Sequence, residues 1–143
     1  MTDRLQFILN FIDCFYDKSL TKRRSSKNTA HYIARTVNKV FKFYFDKSVK
    51  YTEEEIYKAF EINGYSLMKS GKQDFTWHRY DNGHILITCD LFINIKPQKN
   101  SDLIMTMRKS YPDTLKPETL DRINSCKSEL RAFWNKNQHL VSK

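Results

Sequence analysis

The side chains best placed to do chemistry are cationic. Lys22, Arg23, Arg24 and Lys27 crowd one short stretch, and Arg35, Lys39 and Lys42 follow at steps of four and three. That spacing puts the second set on one face of a helix, with His31 and Asn38 beside them. No acidic residue joins the face before Asp46. Phosphate groups are held by long cations in a row and by amide donors of loops and helix N-termini. Lys69, Lys72, Arg79 and His84 form a second basic group further along. The candidate nucleic-acid-binding residues are therefore Lys22, Arg23, Arg24, Lys27, Arg35, Lys39, Lys42, Lys72 and Arg79. A solvated face on a Lys-rich, Asn-rich protein is the plainer reading of the same charges.

Other chemistries find less support. His78 and His84 would form a diagonal cross-strand pair about 7–8 Å apart, but two ligands do not make a metal site, and Asp90 lies too far along to add a third. Cys14, Cys89 and Cys126 are far apart, without ligand-pair or redox spacing. They are expected as reduced, buried thiols, which suits a cytoplasmic location. There is no Gly-x-Ser-x-Gly elbow and no glycine-rich phosphate loop. Glu53 to Glu55 is explained as the start of a helix. No catalytic residue, metal or cofactor is expected.

Charge and composition narrow the partners. The 143 residues carry 25 Lys and Arg against 16 Asp and Glu, for a net charge of +9. Residues 1–50 hold 11 basic and 4 acidic residues, so most of the excess sits in the first third. A concentrated positive field favours a polyanion: nucleic acid, an anionic surface or an acidic protein. Apolar residues make up 40%, enough for a packed core, and the length predicts a single domain over 1–143. No stretch approaches the ~20 apolar residues of a membrane span, and no signal-peptide pattern is seen at the N-terminus.

The elements that would position these residues are legible from periodicity. Residues 4–18 predict a helix with a wide apolar stripe: Leu5, Phe7, Ile8, Leu9, Phe11, Ile12, Cys14, Phe15 and Tyr16. Residues 19–28 predict a basic loop, with Ser26 or Asn28 capping a second helix over 29–46. Ile33, Val37, Val40, Phe41 and Tyr44 are its inner stripe. Thr52 and Glu55 predict a capping box for a third helix, which Gly64 ends. Alternation from Ile85 to Ile95 predicts one long strand. It should pair with Phe75–Tyr80 through a three-residue Asp81-Asn82-Gly83 loop, which sets Trp77 opposite Ile87 and Phe75 opposite Cys89. Leu67 and Met68 offer a short third strand. A short helix capped at Asn100 or Ser101 and a long one over 117–140, opened by Pro117, complete the chain.

These elements predict an α+β fold, with three N-terminal helices and a long C-terminal helix packed on a small antiparallel β-hairpin. Helix, helix, then hairpin is similar in outline to a winged helix, but no recognition element follows Gly64, so no family is assigned. The leading functional expectation is a small, basic, non-enzymatic nucleic-acid-binding accessory or regulatory protein, for DNA or RNA. The alternative is a protein-interaction module, a homodimer or partner surface made by the first and last helices. A small hydrolase or toxin without a motif ranks third.

Overall fold

Thr2 starts the first helix. Its hydroxyl accepts the Leu5 amide at 3.1 Å, and Asp3 meets the positive end of the helix dipole. The helix, α1, runs Asp3–Phe15 and buries Phe7, Ile8, Phe11 and Ile12 completely. The computed structural model describes residues 2–20, 28–69, 75–79, 85–89 and 91–142; residues 69, 75–79 and 85–89 are described by backbone alone. Among the described residues there are five α-helices, together with short antiparallel strand pairs, an α+β arrangement.

The second helix, α2, runs Ala30–Tyr44. Its cap is Thr29, whose hydroxyl accepts the Tyr32 amide at 3.3 Å, not Ser26 or Asn28. The Asn28 side chain is engaged elsewhere, its amide nitrogen donating to the carbonyl of Ile95 at 3.1 Å. The expected stripe of α2 is in the core, with Ile33, Val37, Val40 and Phe41 fully buried and Tyr44 half-buried. The third helix, α3, runs Glu53–Ile62 and opens with the Thr52–Glu55 capping box. It closes in a Schellman motif. Gly64 has φ +87°, its amide donates to Glu61, and the Tyr65 amide donates to Phe60 at 3.0 Å. The rings of Phe60 and Tyr65 meet edge to face at 5.1 Å, the apolar contact that accompanies this cap.

Aromatic rings fill the centre. Phe7, Phe11 and Phe15 from α1 meet Phe41 of α2, Phe45 just after it, and Phe133 and Trp134 from the last helix, with centroids 4.8 to 6.2 Å apart. Most of these pairs are edge to face, the arrangement that ring quadrupoles favour. Tyr51, in the connector before α3, is buried and ties α1 to α2. Its hydroxyl donates to the Arg4 carbonyl at 2.6 Å, and its backbone exchanges two hydrogen bonds with the Asn38 side chain.

The sheet departs from expectation in one respect. The long strand divides into β3, Ile85–Cys89, and β4, Leu91–Ile93. β3 pairs with β2, Phe75–Arg79, in the expected register: Trp77 opposite Ile87 and Phe75 opposite Cys89. β4 pairs with β1, Leu67–Lys69, placing Leu67 opposite Ile93 and Lys69 opposite Leu91. Five residues, 70–74, therefore stand between the two pairings on one side against residue 90 alone on the other. The Asp81-Asn82-Gly83 turn lies outside the described residues. β4 joins the core through Ile93, with Ile95 buried beside it, and Phe92 is also buried although the alternation leaves it as an exception. Thr29, just before α2, forms an isolated antiparallel bridge with Phe92.

The fourth helix, α4, runs Pro97–Thr106, so Pro97 opens it at the first position; Asn100 and Ser101 lie within it. Asn100 is buried, accepting from the Tyr16 hydroxyl at 2.6 Å. The fifth helix, α5, runs Pro117–Asn137 and ends in a 3₁₀ turn, Gln138–Leu140. Ile123, Leu130 and Phe133 face inward, whereas Leu120 is exposed. The expectation of buried thiols fails at Cys14, which is exposed, and holds in part at Cys126, which is half-buried; the side chain of Cys89 lies outside the described residues. The α1 stripe is wide, but Cys14 falls at its margin, where it borders an open groove against Glu129, Phe133 and Lys136 of α5.

Candidate nucleic-acid interface

The outward face of α2 carries the described part of the expected site. Arg35, Lys39 and Lys42 line it, outside the buried stripe of the helix. Among the described residues none of the three forms an ion pair, in contrast to Arg4, which bonds Glu55 at 3.0 Å, and Arg122, which bonds Asp102 at 3.0 Å. The reason is local. The first turn of α3, rich in glutamate, lies beside the first turn of α2, so Glu53 reaches His31 but not the later cations. His31 is thus half-buried against a carboxylate and is not part of the cationic row, and Asn38 is occupied with Tyr51. The face is basic over its middle and C-terminal turns only.

Two further residues share this face, and periodicity alone does not single them out. At about 100° per residue, Tyr32, Arg35, Lys39, Lys42 and Phe43 fall within an arc of about 100°. Tyr32 is 39% exposed and Phe43 60%, high for aromatic rings. The available signal is Phe43 itself, a large apolar residue lying off the inner stripe of an otherwise regular amphipathic helix. Its ring rests on Tyr44 with centroids 4.8 Å apart, and the Tyr44 hydroxyl donates to the Thr106 carbonyl at 2.8 Å. Phe43 is therefore held in place while keeping one face open.

The basic loop is described only at its ends. Lys22, Arg23, Arg24 and Lys27 lie outside the described residues, as do Lys72 and His84, and for Lys69, His78 and Arg79 only the backbone is described. The loop's two ends are tied to the same short stretch. The Ser19 amide donates to the Asn94 carbonyl at 2.7 Å, and Asn28 donates to Ile95. Both ends of the basic segment are thereby fixed close to the start of α2.

No catalytic arrangement is assembled among the described residues. A cavity of about 270 Å³ between α1, α4 and α5 holds Asp102, Arg122, Cys126 and Glu129. Asp102 is nearly buried, yet it is saturated by Arg122 at 3.0 and 3.2 Å and by Gln98 at 2.8 Å. Burial pushes the Cys126 thiol up to about 11, with Glu129 adding to the shift, so it stays protonated at neutral pH and is a poor nucleophile. Among the described residues no group of three or more His, Cys, Asp or Glu could hold a metal ion, and no helix is long and apolar enough to cross a membrane. Comparison of the chain with protein-family models, curated proteins and solved structures gives no match.

Proposed function

We propose that the protein is a small, non-enzymatic nucleic-acid-binding protein, an accessory or regulatory factor of the cytoplasm, that neutralises phosphates with the outward face of α2. The observation that carries this reading is the row Arg35, Lys39 and Lys42, adjacent on one outward face and without carboxylate partners among the described residues. The row spans seven helical positions, about 10 Å, comparable to three phosphate steps at about 3.4 Å each along one strand. Lys22, Arg23, Arg24 and Lys27, which precede this helix in sequence, and Lys72 and Arg79 complete the proposed set.

Contacts of this kind read charge and not sequence. The expected affinity is therefore the non-specific range, roughly 10⁻⁴–10⁻⁶ M near physiological salt. Labelled DNA and RNA should be bound at low salt and released steeply as salt rises. Replacing Arg35, Lys39 and Lys42 together with Gln should preserve the fold, because the three make no described partner contacts. It should weaken binding and, for duplex DNA, flatten the log–log salt slope by up to about 2.7. Absence of any retention by the wild-type protein at low salt would end the proposal.

A further inference from the structure

The cationic row explains affinity for phosphates but leaves two exposed rings without a role. Tyr32 and Phe43 flank Arg35, Lys39 and Lys42 on one face of α2 and stand eleven positions apart, about 16 Å along the axis. Burying Phe43 would be favourable, yet its ring is 60% exposed and is propped on Tyr44, which is itself anchored to Thr106. In a duplex the faces of the bases are already stacked on one another, and only their edges and the backbone are offered. A protein that grips duplex backbone has no use for open rings. Unpaired bases do offer their faces, and ring–base stacking is sequence-tolerant because every base has a π-face.

We infer that the α2 face takes single-stranded nucleic acid, with its backbone along Arg35, Lys39 and Lys42 and its bases stacked on Tyr32 and Phe43. This rests on the nucleic-acid reading above and adds the class of strand. Three features agree. The rings and the cations share one arc, so a single strand can meet both at once. The separation of about 16 Å is a span that a short stretch of single strand can cover while three cations hold its backbone and two rings its bases. The acidic residue nearest the row in sequence, Asp46, lies beyond Phe43, and its side chain accepts from the Ser48 amide at 2.9 Å.

The test uses the full chain and three fluorescein-labelled probes of equal length: a dT20 strand, a 20-unit abasic strand and a 20-bp duplex. Anisotropy is read over a salt series. The wild-type protein should bind dT20 more tightly than either of the others. Tyr32→Ala and Phe43→Ala should each weaken dT20 binding about tenfold or more, while leaving the abasic strand, the duplex and the salt slope unchanged. Phe43→Leu keeps an apolar contact with Tyr44 but removes the π-face, and it should behave as Phe43→Ala does. Melting curves of the variants confirm that each folds. Equal wild-type affinity for dT20 and the abasic strand, or ring variants that bind dT20 as wild type does, would overturn the inference and leave phosphate binding intact. Failure to bind all three probes would overturn the phosphate reading as well.

Discussion

Replacing Gly64 with Ala should destabilise the protein mainly through the backbone and to a smaller extent through a lost contact. Gly64 sits at φ +87°, where its amide and that of Tyr65 close the α3 cap on Glu61 and Phe60. An L-residue in the left-handed region costs about 1–2 kcal/mol. A Cβ at this position would also meet Lys18 Nζ at 2.8 Å. That atom is the far end of a flexible, exposed side chain, so it can move away. The loss is then its placement 5.4 Å over the Tyr65 ring, about 0.5 kcal/mol for an exposed cation–π contact. With an unfolding entropy of about 2.1 cal/mol/K per residue, 143 residues give about 0.3 kcal/mol/K. The melting midpoint should fall by about 5–8 °C. Calorimetry of Gly64→Ala, Lys18→Ala and the double variant separates the two causes. Full rescue of Gly64→Ala by Lys18→Ala would show a steric origin and refute the backbone argument, and an unchanged midpoint in Gly64→Ala would refute the cap.

Three further outcomes follow from the geometry. In a Cys89→Ser background, Cys14 should react faster with a thiol reagent than Cys126: burial raises both thiols, Cys126 to about 11, but Cys14 is the more exposed; a single labelling rate would contradict this. Phe11→Ala should cost about 3–5 kcal/mol in a denaturant titration, since the ring is fully buried among Phe15, Phe41, Phe45 and Phe133; a loss below about 1 kcal/mol would mean the aromatic centre is wrongly assigned. Arg4 hydrogen bonding holds the Glu55 carboxyl below its ordinary value of 4.5, so the folded state binds that proton less readily than the unfolded chain. The stabilisation is present above pH 4.5 and disappears as pH falls through the lowered folded value. It is small, because both side chains are more than one-third exposed. The stability gap between wild type and Glu55→Gln should therefore narrow on acidification, and a gap that widens would refute the pairing.

Much of the fold is legible in the sequence because local rules and tertiary packing agree. The Thr52–Glu55 box, the Gly64 stop, the α2 stripe and the β2–β3 register each follow from one residue type at one spacing, and the structure carries each of them out. The misses have a common cause. Thr29, not Ser26 or Asn28, caps α2 because Asn28 is drawn to the carbonyl of Ile95, 67 positions away. Pro97 starts a helix where the pattern marks only the end of a strand, since a proline ends one element and opens another equally well. Cys14 is apolar in type but sits at the margin of the α1 stripe, in an open groove beside α5. The cations of α2 are legible as a face, whereas the loss of His31 to Glu53 depends on α3 lying alongside and has no local signal. Phe43 is visible in the sequence as a misplaced aromatic, but its support by Tyr44 and Thr106 is not.

The most direct test of the central claim is a two-dimensional ¹H–¹⁵N NMR titration of the whole protein with a short oligonucleotide at low salt. The amides of residues 32–43 in α2 should shift progressively with ligand, and the shifts should revert as salt is added. Shifts confined to α4 and α5 around Asp102 and Arg122, or no shifts at any ratio, would contradict a nucleic-acid interface on α2.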